Sequence, residues 1–310
     1  GTHGNKGKDT PFFTYSANTH GRKAGPTVQR LPHLTAMRNR RHTGATLYAI
    51  LHARNHGQCT VHKVMVNILD GANFFCYSGH AYALLISDDP DSGITADAKR
   101  RALMGVMSGL ATPASGTVMN KSANIVELEP VELRGHRLGI VPQLHAVQPK
   151  LDAEQNVLYA MDASNRNFLK PKPVIARELL AKVGFSEATS GVAVGTLPLV
   201  QQRLVAIARA ISTEAEVLIL DEPANFVDNK FEKELYAILR QLNDRMAIIM
   251  VSHDLGTITS HVKSIVCVNR HVHRHNSNVI TPEQLHNYDC PIQIVSHGTV
   301  PHTVLEEHAD

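Results

Sequence analysis

The residues best equipped for chemistry lie in the second half of the chain. The run VLILDEP (217–223) ends an apolar stretch on Asp221 and Glu222, and VSHD (251–254) ends the next one on Ser252 and His253. In open α/β folds, ligands gather outside the carboxyl ends of parallel strands. Two adjacent carboxylates and an imidazole delivered to one such edge suit phosphoryl transfer. Asp221 would hold Mg²⁺, Glu222 would polarise the attacking water, and His253 would contact the terminal phosphate. Taken singly, a buried strand capped by acids or a structural histidine explains each piece. Four stretches in one order, QQRLVAIARA (201–210), VLILDEP, NFVD (225–228) and VSHD, are much harder to obtain by chance.

Such an edge needs strands and helices in alternation. LYAIL, VMVNIL, FFCYS and AYALLI read as strands, followed by a helix over 99–110 whose Leu103, Met104 and Met107 share one face. LGIV is a short strand, and helices are expected over 152–161, 173–183 and 199–211. The strand VLIL, a helix over 230–242, and the strands AIIMVS and SIVCV complete the pattern. The implied fold class is α/β around a mostly parallel sheet, with a helical lobe inserted at about 150–211 where no strand is interleaved.

Composition narrows the class without naming a partner. The chain has 310 residues, 43% of them hydrophobic, which is enough for a sizeable core. A net charge of +3 is too small to argue for nucleic acid, and no apolar run is long enough to span a bilayer, so a peripheral membrane role stays open. Cys59, Cys76, Cys267 and Cys290 form no CxxC pair, which fits a reducing compartment. From Thr10 to Leu69 there is no Asp or Glu, while Arg22, Lys23, Arg30, Arg38, Arg40 and Arg41 recur among Ser, Thr and His. That is the composition of an organellar targeting segment or of a disordered or extended arm, here residues 1–44, and it favours a mitochondrial matrix face over the alternative, bacterial cytoplasm. Near the other end His271, His273 and His275 alternate, as zinc ligands on one strand face would, although a solvated hairpin explains them as well.

These stretches together resemble the ATP-binding subunits of ABC transporters, from about Thr46 to the C-terminus and most closely after Leu199. The tail segments CVNRHVHRH, TPEQL and CPIQIVSHGTVPHTVL are similar to the end of zinc/manganese-uptake ATPases. The resemblance implies an ABC-ATPase, P-loop-NTPase-like core over 45–270 with a short His-containing extension over 271–310. It implies that Gln143 is the glutamine of the loop linking the lobe to the core, Asp221 the Mg²⁺-holding aspartate and Glu222 the catalytic glutamate. It likewise makes Asp228 the aspartate of the following loop and His253 the switch histidine. Implied partners are a membrane-embedded subunit and a second copy in a head-to-tail dimer.

Two elements depart from the family pattern. A phosphate loop GxxxxGK[ST] should follow the first buried strand, since its bare backbone wraps phosphate, its lysine neutralises charge and its hydroxyl ligates Mg²⁺. Here the segment reads ISDDPDSGITADAKRR, with Lys99 or Arg100 at the lysine position, no hydroxyl after it, and Asp88, Asp89, Asp91 and Asp97 nearby. Asp97 or Ser92 is expected to take the anion's place at the helix start. The LSGGQ signature is replaced by Leu197-Pro198-Leu199-Val200-Gln201, which lacks the glycines needed for close backbone approach. The expectation is therefore a degenerate, non-catalytic structural or binding subunit of a membrane complex, with no cofactor. The alternative is a working ATPase of a zinc/manganese transporter using ATP and Mg²⁺.

Overall fold

The computed structural model describes residues 13–16, 45–51, 64–72, 74–88, 93–252, 261–268, 272–275, 292–297 and 300–305. His253, His271, Asp89, Asp91, Ser92 and most of the basic arm lie outside the described residues. In chain order the elements are β1 (Phe13–Ser16), β2 (Ala45–Leu51), β3 (Val64–Ala72), β4 (Phe74–Cys76), β5 (Ala81–Ile86), α1 (Ala96–Met107), β6 (Thr117–Asn120) and β7 (Ala123–Asn124). There follow α2 (Pro130–Glu132), β8 (Leu138–Val141), α3 (Ala153–Ala163), α4 (Lys172–Lys182), α5 (Leu199–Ile211), β9 (Val217–Asp221), α6 (Asn229–Asn243), β10 (Ala247–Ser252) and β11 (Ser264–Val268). The last are β12 (Val272–His275), β13 (Ile292–His297) and β14 (Val300–Leu305).

The central sheet runs β12-β11-β5-β10-β9-β8, parallel except for β12. Its strands read as unbroken apolar runs because both faces are covered, and β9 and β10 are buried along their whole length. The two-residue period divides each strand between two cores. Leu218, Leu220, Ile248 and Met250 pack with Val157 and Met161 of α3, Leu204 and Ile207 of α5 and Leu235 of α6. Val217, Ile219, Ile249 and Val251 pack with Leu103, Val106 and Met107 of α1 and with Phe74, Cys76 and Val118 of an antiparallel layer.

That layer has the order β4-β1-β6-β7. Phe13–Ser16, inside the expected arm, pairs on one side with β4 and on the other with β6, so part of the arm is a strand. At the far end β12 pairs antiparallel with β11, which carries the main sheet past residue 270.

The lobe holds α3, α4 and α5, and α5 also lies on β8. A Cβ at Gly139 of β8 would meet the Ala210 carbonyl oxygen at 2.6 Å, so glycine is what lets strand and helix backbones touch. Helix starts are capped by short acids. Asp152 and Gln155 form a reciprocal capping box on α3, and the Asp228 carboxylate accepts from Phe231 N–H at 2.8 Å at the start of α6.

Candidate nucleotide site

Parallel pairing brings the ends of β9 and β10 to the same edge, where Val251 and Ser252 of β10 and Glu222 just after β9 line the cavity of the site. Asp221 ends β9 and Ser252 ends β10, both buried. Glu222 N–H donates to Val251 C=O at 2.9 Å, extending the pairing by one residue. Its φ of +47° then turns the chain through the left-handed region, which costs a non-glycine residue about 1–2 kcal/mol. The glutamate is held 7% exposed at the strand end. Gln143, two residues beyond β8, comes to the same place, and with Asp97, Arg100, Glu222 and Ser252 it lines a cavity of about 250 Å³.

The first turn of α1 closes the cavity. Arg100 donates from one nitrogen to Asp221 Oδ2 at 2.5 Å and from the other to Asp97 Oδ1, tying the helix to the end of β9. Burial pulls the guanidinium pKa down, but the hydrogen bonds and charges of Asp97 and Asp221 outweigh it and leave the pKa raised. The Arg100 hydrogen bond, followed by the charges of Arg100 and Arg101, holds the Asp97 carboxyl below its ordinary range. Lys99 lies elsewhere. Its side chain is fully buried and Nζ donates to the Ser87 carbonyl at 2.8 Å, so the ammonium expected on the phosphates braces the end of β5 instead. One residue of helix separates the two outcomes, because each step turns about 100° around the axis.

The anion seat at the helix start is filled by Asp88, not by Asp97. Asp88 Oδ1 accepts from Ala96 N–H, and Thr95 Oγ1 accepts from Ala98 N–H at 3.2 Å. Ser92, the other residue expected there, lies outside the described residues. Sequence reasoning put Asp88 near the site but missed its hold on the helix start, because it acts from eight positions upstream. It also missed Arg203, a buried arginine on α5 whose guanidinium donates to Pro142 C=O at 3.4 Å, just ahead of Gln143. Burial lowers the Arg203 pKa while the charge of Asp221 raises it, which puts a second cation in reach of that carboxylate.

A divalent ion does not fit this arrangement. Of the Asp221 carboxylate, only Oδ1 is left for an ion, buried and without a hydrogen-bond donor. The other oxygen of the same carboxylate already holds Arg100, and two unit charges of like sign 4 Å apart oppose each other by about 4 kcal/mol at an effective dielectric of 20. No hydroxyl follows Arg100 on α1, and no cluster of three metal-ligating side chains exists among the described residues. A phosphate fits better. Ala96 N–H already points at a carboxylate oxygen, and Arg100 has three of its five N–H donors left beyond those on Asp97 and Asp221.

Other expected residues fall as follows. Asp228 is outside the cavity lining and serves as the α6 cap. His275 is buried opposite Ile265, and His273 sits opposite Cys267 in the register of β12 on β11. With His271 outside the described residues, no zinc set is assembled among those that are described. A second cavity of about 260 Å³ lies at the opposite edge, where β5 and β10 begin. Its ionisable lining is Arg240, His261 and Lys263, with no carboxylate to activate water, so the acid-bearing edge is the one suited to hydrolysis.

Known proteins agree with the architecture. The ABC transporter family model matches residues 102–225, beginning just after Arg101. The lipoprotein-releasing system ATP-binding protein LolD of Syntrophotalea carbinolica is 33% identical over 162 residues, 51% of this chain and 70% of that protein. A protein of Thermotoga maritima named "Probable metal transport system ATP-binding protein" is 32% identical over 172 residues, 54% of this chain and 70% of its own length. Among solved structures, the ATP-binding cassette MJ0796, a dimer bound to ADP and Pi, superposes with a TM-score of 0.61 at 20% identity. That superposition covers 76% of this chain and 97% of the other.

Proposed function

The chain belongs to the ABC transporter ATP-binding family, and from that premise we propose that it is the nucleotide-engaging subunit of a transporter, seated on a membrane-embedded partner. The observation that carries this reading is the gathering of Gln143, Glu222, Ser252 and Arg100 around one cavity at the carboxyl edge of the parallel sheet. In this reading ATP lies against the first turn of α1, and Glu222 takes the proton of the water that attacks the terminal phosphate. A divalent metal ion is the cargo we favour, from the likeness of the tail to metal-uptake ATPases and from the name of the Thermotoga relative. The bacterial sources of the relatives support a bacterial cytoplasmic face and lend nothing to a mitochondrial one.

The partner's surface is supported by what the lobe and the loop before it expose. Leu144 beside Gln143, Tyr159 on α3, Leu169 ahead of α4 and Val174 within it are all large apolar side chains open to solvent, and no described helix is long and apolar enough to cross a membrane. A second reading, a subunit that has given up turnover, is favoured by the Asp88 hydrogen bond to Ala96 N–H and the Arg100–Asp221 ion pair. Nucleotide binding and phosphate release by the purified chain separate the two. The ATPase reading expects binding with slow release, cut about 100-fold or more by Glu222→Gln while binding persists. Binding without release supports the second reading, and no nucleotide binding at all removes the first.

A further inference from the structure

Three observations converge on how charge is managed at this site. The carboxylate that would carry a divalent ion is bound to Arg100 at 2.5 Å, and the same guanidinium reaches Asp97 at the start of α1. The side chain bearing that charge is 17% exposed, so it lies at the cavity wall and keeps an open side. The seat at the helix N-terminus is already set for an acidic oxygen, because Asp88 Oδ1 accepts from Ala96 N–H. An ion between carboxylate and phosphate does two things: it bridges two anions and neutralises them. A guanidinium does both, since it is always charged, planar and able to donate in several directions at once.

We propose that this site binds the polyphosphate of a nucleotide without a divalent metal ion, with Arg100 bridging Asp221 and the phosphates where the ion would stand. This rests on the ATP-binding reading above. Phosphate displaces the exposed Asp88 from Ala96 N–H, while Arg100 keeps Asp221 and Asp97 and turns its remaining donors outward. Arg203 supports the arrangement from the other side. It lies near enough to Asp221 to feel its charge, and it holds the Pro142 carbonyl that sets the approach of Gln143.

The test is equilibrium binding of a fluorescent ATP analogue to the full chain, once with excess Mg²⁺ and once with excess chelator. The two dissociation constants are expected to agree within about twofold, and Arg100→Ser is expected to weaken binding in chelator about tenfold or more, with recovery when Mg²⁺ is restored. Wild-type binding that weakens about tenfold in chelator overturns the proposal and leaves the ATP-binding reading standing. Absence of binding in both conditions overturns that reading as well. Asp88→Asn supplies a check that does not touch the core: it is expected to tighten binding several-fold in both conditions, and unchanged affinity overturns the placement of phosphate on α1. Titration with Mn²⁺ followed by paramagnetic resonance is expected to show no ion bound at the site, and a bound ion there overturns the substitution of Arg100 for metal.

Discussion

At the scale of single residues, the two neighbouring cations Lys99 and Arg100 have opposite assignments. Lys99 is fully buried against the Ser87 carbonyl, and Arg100 faces the cavity. Lys99→Met preserves length but leaves the Ser87 carbonyl without its donor, a change expected to lower stability by about 1–3 kcal/mol. It is expected to leave nucleotide affinity within about twofold by the same binding measurement, whereas Arg100→Met lowers it about tenfold or more in chelator. Equal losses from both variants would show that the ammonium reaches the nucleotide. The sequence left the choice between these two open, since alignment by one residue or the next is equally readable. Helical rotation settles it, and rotation depends on where α1 begins. It begins at Ala96 because Thr95 and Asp88 satisfy its first amides.

At the scale of elements, the contact between β8 and α5 controls where Gln143 stands. Gly139 leaves 2.6 Å between an added Cβ and the Ala210 carbonyl, so Gly139→Ala must push strand and helix apart. The expected cost is about 1–3 kcal/mol, read as a lowered unfolding midpoint in denaturant, with weaker nucleotide binding because the displaced strand leads into the Gln143 loop. A second coupling lies at the opposite edge, where the His261 ring stacks on Tyr236 of α6 at 4.2 Å and its Nδ1 accepts from the Arg240 guanidinium at 3.3 Å. Burial and then the Arg240 charge lower the His261 pKa below its ordinary value. Its neutral form therefore favours the fold. That stability is fully present above the unfolded value near 6.5 and is lost as pH falls through the lower folded value. Melting temperatures measured from pH 7.5 down to pH 5 should decline less steeply in His261→Gln, and identical slopes would remove the histidine from the account.

The elements themselves were largely legible. AYALLI, VLIL, AIIMVS and SIVCV are strands, and α5 spans Leu199–Ile211 as its periodicity implies. What was not legible depends on distant partners. Phe13–Ser16 gains its hydrogen bonds from β4 and β6, far along the chain, and nothing local distinguishes it from the rest of a basic arm. Arg203 is one of two arginines in LVQQRLVAIARAI, and only packing shows that it turns inward.

For the whole molecule, the open question is what covers its exposed apolar side chains. Phe226, between Glu222 and the α6 cap, is 78% exposed and held at φ +64°, so it spends strain to keep an aromatic ring in solvent. Phe226→Gly removes the ring and the backbone strain together, and the gain roughly offsets glycine's greater freedom in the unfolded chain, leaving stability within about 1 kcal/mol. It is expected to weaken self-association in the presence of ATP, as seen by sedimentation, because an exposed ring four residues after Glu222 is an apolar surface for a second copy to cover. Unchanged association would place the ring outside the contact between copies.

The two-sided packing of the central strands has a wider consequence. Val217 to Leu220 are apolar because two layers press on them from opposite sides, and those layers would demand the same residues in a chain that never met a nucleotide. Such a run is a signature of shape, and it can outlast any change of occupation. Whether a protein of this build works as an engine is written instead in the few side chains at the rim, which can be exchanged while the silhouette stays intact.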